Sequence, residues 1–363
     1  MTQPASEQMT YAEAMALATA AYAAARAAQV VAPMEALAAT IRAAAAATNR
    51  VQESAVVSVR QLWQRTNPYS DAEVDRFATA AGRMLVSAQR SIAQVTAAAQ
   101  TRAFETVGAR GVTVSASIPD DVRGTRSRSA VVVDAEQGRT VRRSRAIVHY
   151  ADAERTVSAE DSRTSRVMVR VAGEYRYSRS QGRTHAEALT AADNRIRVIV
   201  DGNLQVARTL VEEGALQSLR RAFEEGTVDL DQEPIGYRRV IHPERSVGGV
   251  CGLCVVAADR TYKIGELKAI HSLCKCTVLP IFEDSDPGQE LNGEDLDALY
   301  KAAGGNTRDR FKRTRYKLID HSELGPLLVP QKKGQAVPYF RGPDDVPGEA
   351  EEAQTPAEAL ASA

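Results

Sequence analysis

All four cysteines of this 363-residue chain fall between positions 251 and 276. The window opens Cys251-Gly252-Leu253-Cys254 and closes His271-Ser272-Leu273-Cys274-Lys275-Cys276. A chain that places every thiol in one short window is holding something there. Two cysteines three apart put both sulfurs on one side of a tight turn. Cys-x-Cys, with a histidine three residues before it, supplies the other half of a ligand set. Thiolate and imidazole are the donors zinc prefers, in tetrahedral groups of four. Cys251, Cys254, Cys274, Cys276 and His271 are five candidates for four places. The spacing favours four thiolates, with His271 as an alternate ligand or a donor to a ligand. Oxidation of the same thiols to one or two disulfides stays open. A thioredoxin-like redox pair does not fit, because a second cysteine pair follows and no βαβ pattern surrounds the window.

The segment around the window is too small and too poor in apolar residues to fold unaided, so it needs a staple. A structural zinc would turn ligand binding into folding free energy, on the order of 10 kcal/mol. Ile235–Ile241 reads as a strand entering the module and Thr277–Phe282 as one leaving it. Val255–Ala258 reads as a strand or short helix. His242-Pro243 reads as a turn, since the residue before proline is restricted. A catalytic zinc would keep an open position and a general base. Glu266 is near in sequence, but nothing in the sequence places it.

Residues 1–106 read as an alanine-rich helical domain. Apolar positions at Tyr11, Met15, Ala18, Tyr22, Ala25 and Val30 follow a helical stripe that Pro33 interrupts. A second helix is expected from Arg50 to Arg65 with Trp63, the only tryptophan. Ser70 and Glu73 form a capping-box signal for a third, running to Phe104. Residues 107–183 form a mixed, extended region. Val112–Ile118 alternates and reads as a short strand or an extended link. Between Val122 and Arg183 stand fourteen arginines against seven acids. Within it Tyr175, Arg176, Tyr177, Arg179 and Arg183 alternate aromatic faces with guanidinium planes, a pattern that suits a nucleic-acid backbone; an ordinary solvated face is the alternative. Residues 184–234 read as a long helix capped by Thr184 and Glu187, with Gly214 a weak point. Residues 235–283 are the cysteine module. Residues 284–321 read as a short helical basic segment, with Asn292 as a helix cap and Asp295 at its third position. Residues 322–363, rich in proline, glycine and acids, lack periodicity and predict disorder.

The fold class this predicts is α+β and mostly helical. The balance of 46 basic and 46 acidic residues points to no partner by net charge. No apolar run reaches the length of a membrane span, and the start carries no secretory signal. Synthesis in a cytoplasm is the expectation.

Gly236-Tyr237-Arg238-Arg239-Val240-Ile241-His242-Pro243-Glu244, then Cys251-Gly252-Leu253-Cys254-Val255-Val256-Ala257-Ala258-Asp259-Arg260, then Ile270-His271-Ser272-Leu273-Cys274-Lys275-Cys276, resemble the MuF-like minor head proteins of tailed bacteriophages, in particular those of actinobacteriophages. Tyr175-Arg176-Tyr177-Ser178-Arg179-Ser180-Gln181-Gly182 and the helix after it also fit. The resemblance spans roughly residues 170 to 285 and touches the N-terminal helices only in general style. It implies a head morphogenesis protein made in the host cytoplasm and carried in few copies in the virion. Its place would be inside the capsid near the portal, with portal and capsid proteins as partners and DNA as a further one. Some relatives are labelled capsid maturation proteases, which is the alternative reading. Others carry a C-terminal toxin domain, for which the stretch after the cysteine module here is expected to be too short. No membrane partner is implied. The local motifs of a protease nucleophile do not stand out in the sequence.

Overall fold

The computed structural model describes residues 33–123, 131–134, 139–142, 146–150, 153–157, 163–228, 230–242, 252–267, 274–302, 315–321 and 325–331. Its architecture is α+β and mostly helical, with a small antiparallel sheet. The helix expected before Pro33 lies outside these residues. Pro33 itself opens helix α1 (Pro33–Trp63), where a proline costs nothing because the first-turn amide has no helical partner. The helix expected from Arg50 is the second half of α1.

A turn through Asn67-Pro68 leads to α2 (Asp71–Thr106). The Ser70 hydroxyl accepts from the Glu73 amide at 3.4 Å, but the Glu73 carboxylate turns to the Asn67 amide at 2.8 Å. The expected capping box is therefore half built. At α5 (His185–Glu224) it is complete, with Thr184 and Glu187 bonding reciprocally. That helix runs unbroken through Gly214.

α5 packs against α1 and α2, and the short helices α3 (Thr164–Val167) and α4 (Arg170–Ser180) close the bundle. Alanines, among them Ala78, Ala81, Ala88 and Ala192, let the helices approach closely. Gly82 allows the closest approach: a β-carbon there would sit 2.7 Å from the Ser165 Cα on α3. The large side chains gather at one end, where Trp63 meets Phe77 at 5.3 Å and Tyr175 at 6.2 Å between ring centroids. A buried polar link ties α3 down. Asp121 accepts from the Thr164 amide and hydroxyl at 2.8 and 2.7 Å, and Gln89 donates to Thr164 and Asn203.

Val112–Ile118, expected as a short strand or an extended link, is the link: among the described residues no strand pairs with it. Its alternation is real: Val112 and Val114 are buried against Phe104, Val211 and Leu219, while Thr113 and Ser115 face outward. The Val114 amide bonds the Thr101 hydroxyl at 3.1 Å instead of a neighbouring strand. Period-two patterning reports one covered side, and here helices provide the cover. Two antiparallel hairpins follow, β1 (Val131–Asp134) with β2 (Arg139–Arg142) and β3 (Ala146–Tyr150) with β4 (Ala153–Val157). The Tyr175 region, read from sequence as extended or mixed, is helix α4.

The central sheet has the order β6-β5-β7, built from β5 (Pro234–Val240), β6 (Thr261–Tyr262) and β7 (Thr277–Phe282), all antiparallel. Gly236 is required where β5 bulges: a β-carbon would lie 2.6 Å from the Tyr262 carbonyl oxygen. The sheet is seated on the bundle. Gln100 of α2 donates to the Val278 carbonyl at 3.0 Å. Val240 and Leu279 pack with Leu37, Ile41 and Ala103, and Tyr237 and Val278 pack with Leu216.

Between β5 and β6 lies α6 (Gly252–Ala258), and after β7 comes α7 (Pro287–Ala302). Asn292 is not the cap expected of it. It sits inside α7, fully buried, accepting from the Ile241 amide at 3.0 Å and donating to the Arg239 carbonyl at 2.7 Å. A side chain that offers both a donor and an acceptor suits the end of β5 as well as it suits a helix terminus. Across the boundary between the expected basic helix and the expected disordered tail, β8 (Arg315–His321) and β9 (Gly325–Gln331) form an antiparallel hairpin; residues 303–314 and the tail from 332 lie outside the described residues. Among the described residues no helix is long and apolar enough to cross a membrane.

Candidate metal centre

Cys254 lies in the first turn of α6, and Cys274 and Cys276 lie on the extended segment that enters β7. The fold brings them together. Their sulfurs all lie within 4.8 Å of one another, and Cys254 Sγ is 3.8 Å from Cys274 Sγ. A disulfide needs about 2.05 Å between sulfurs, so these three are free thiols. Two thiolates about 2.3 Å from one tetrahedral zinc stand roughly 3.8 Å apart, which is the separation seen. The three cysteines are buried among Ile241, Val255, Ala258 and Leu296. They can hold a metal ion. Cys251 and His271, the other ligand candidates, lie outside the described residues.

Charge gathers around the thiols. Contact with Cys254 pulls the Cys276 thiol down, but contact with Cys274, burial and the Cys274 charge together push it well above the usual range. Raised in this way, the Cys276 thiol must give up its proton to ligate a metal. Arg208 of α5 donates to the Cys274 carbonyl at 3.0 Å. Lys275, between the two cysteines, reaches Gln52 of α1 at 2.7 Å, and Gln52 bonds Asp201 of α5. Burial pushes the Asp201 carboxyl up, while Lys275, Gln52 and Arg197 hold it down. These groups line a polar cavity of about 20 Å³, room for about one water molecule. His242 is buried, with Nε2 3.1 Å from the Thr277 hydroxyl. Glu266 is exposed in the loop after β6.

The residues expected to meet nucleic acid are placed differently from one another. Tyr175 is buried, 5.9 Å from the Tyr69 ring, and its hydroxyl is 2.7 Å from His185 Nδ1. Its ring cannot stack on a base without leaving the core. Arg176 donates to the Pro68 carbonyl at 2.6 Å and to Asp71 at 2.7 Å. Tyr177 is half-buried, and Arg179 and Arg183 are exposed, with Arg179 donating to the Arg183 carbonyl.

Arg208, Arg239, Gln52 and Asn292 form the surroundings of the cluster and were not legible as such. Arg208 and Gln52 lie far in sequence from the cysteines, Arg239 stands inside the module with nothing to mark its role, and Asn292 carried a local signal that pointed elsewhere. Lys275 was in plain view, but nothing in the sequence names Gln52 as its partner. A scan against protein-family models, a search of curated proteins and a search of solved structures each find no match to this chain.

Proposed function

We propose that this chain is a non-catalytic minor component of a tailed-phage head, built around a structural zinc. It sits near the portal inside the capsid and contacts portal and capsid proteins. Cys251, Cys254, Cys274 and Cys276 would hold the ion, with His271 as the alternate ligand. The observation that carries the zinc reading is the convergence of three buried thiols, one from α6 and two from the lead-in to β7, at tetrahedral ligand spacing. Burial of the cluster in the module's apolar core suits a closed structural site rather than an open one. The head reading rests on the resemblance of residues 236–276 to MuF-like proteins. DNA contact would fall to the exposed Arg179 and Arg183 and to the arginine-rich residues before them.

The decisive experiment is assembly with Cys254→Ser. Loss of the variant from purified heads, with helical content retained, is the expected outcome. Normal incorporation of a metal-free chain would overturn the reading. DNA binding by residues 105–225 that weakens steeply with salt would add the nucleic-acid role. Cleavage of the major head subunit on co-expression, abolished by changing His242 or His271, would replace the structural reading with the protease one.

A further inference from the structure

We infer that Arg239 is the counter-cation of the cysteine cluster: its buried guanidinium balances the charge of a metal–thiolate site and so sets how tightly the metal is held. This rests on the zinc reading above. A divalent ion held by four thiolates carries a formal net charge of minus two, and an ion of that kind is costly in a protein interior unless an opposite charge lies close.

Strand register brings Arg239 to the site. It pairs with Val278 and its neighbour Val240 pairs with Thr277. Side chains alternate along a strand, so Tyr237, Arg239 and Ile241 share a face with Val278 and, two residues back, Cys276. The packing agrees: Tyr237 clusters with Val278, and Ile241 clusters with all three cysteines. The Arg239 side chain is buried and its Cζ lies 5.7 Å over the Tyr262 ring. Tyr262 stacks on Tyr237 at 5.2 Å, forming an aromatic wall that fixes the guanidinium. Burial works against the Arg239 charge, and Tyr237, Cys274, Tyr262 and Cys276 sustain it.

Among the described residues, Arg208 and Lys275 also lie near the cluster and reach in other directions. Arg208 meets the Cys274 backbone carbonyl and lies 3.8 Å from Glu212. Lys275 extends to Gln52, and its charge acts on Asp201. Among the described residues, Arg239 is the cation that shares the sheet face of Cys276 and on whose charge Cys274, Cys276 and two tyrosines act.

The test is zinc affinity of the full chain, measured by chelator competition, for wild type, Arg239→Lys and Arg239→Gln. Cobalt substitution reports thiolate ligation through its sulfur-to-metal charge-transfer band. Removal of an outer partner of a metal ligand typically costs about 10–100-fold in affinity. Arg239→Gln keeps hydrogen-bonding groups and loses the charge, so a loss in that range is expected. Arg239→Lys keeps the charge and should stay within about threefold of wild type. Equal losses in both variants would show a packing role, and no loss in the glutamine variant would show no role; either overturns the inference. If the glutamine variant does not fold, the lysine variant decides alone: near-wild-type affinity supports the charge role and a loss beyond tenfold overturns it. Wild-type protein that binds neither zinc nor cobalt would sink the zinc reading itself, and the inference with it.

Discussion

Around Trp63 the buried side chains are Val59, Phe77, Tyr175, Ile196 and their apolar neighbours, interlocked across α1, α2, α4 and α5. Around Cys276 they are two more thiols, Arg239, His242, and a handful of aliphatic groups including Ile241 and Leu296. The first region can be stabilised by removing apolar surface from water. The second has less of this to draw on, because its apolar cluster is small and Arg239 and His242 are buried with it. Its strands rest on the bundle through Leu37, Ile41 and Leu216, which gives it a floor. On the proposed reading, a metal joins the cysteine ends of the module. The difference teaches that one chain uses two kinds of core; on the zinc reading proposed above, the smaller one depends on a ligand.

The strongest way to break this contrast is Cys276→Ser. Loss of a structural metal removes stabilisation on the order of 10 kcal/mol from the module. Metal uptake should vanish and amide exchange should rise across β5 and β7, while α1 and α2 stay protected. Uniform loss of protection would mean that the two regions share one core. Next in size is Trp63→Ala, which should cost about 3–5 kcal/mol in denaturant unfolding and leave metal stoichiometry unchanged. A variant that lost its metal as well would join the regions more tightly than drawn here.

Asn292→Ala addresses the seam. It strips partners from the buried Ile241 amide and Arg239 carbonyl. A cost of about 1–3 kcal/mol is expected, with faster metal loss to a chelator. The smallest effect belongs to Glu53→Gln on the bundle surface. The Arg197 hydrogen bonds, 2.7 and 3.1 Å long, hold the Glu53 carboxyl below its usual range against partial burial. A depressed carboxylate stabilises the fold above its unfolded pKa, about 4.3, and that contribution fades as pH falls through the folded value. Wild type and Glu53→Gln should differ by less than about 1 kcal/mol at neutral pH. The difference should shrink toward zero in melts run below pH 4.

Much of the frame was legible because helices announce themselves locally. Ser70 and Thr184 marked two helix starts, and the apolar stripes marked their buried sides. The alternation at Val112–Ile118 left strand and extended link open, because covering a chain with helices leaves the same trace as covering a strand. Tyr175 misled for a related reason: an aromatic among arginines looks like a stacking platform until its partners Trp63, Tyr69 and His185, all remote or across a turn, are known. At the cysteines the convergence of Cys254, Cys274 and Cys276 and the strands on either side could be read directly. The charged lining could not, since Arg208, Gln52 and Asn292 meet the module only through tertiary folding.

The central claim is that a metal ion joins the cysteine ends of the module. Elemental analysis of protein purified without added reductant, alongside a thiol count after denaturation with chelator, tests it most directly. One zinc per chain and four titratable thiols are expected. Disulfides with no zinc, or free thiols with no metal, would contradict it.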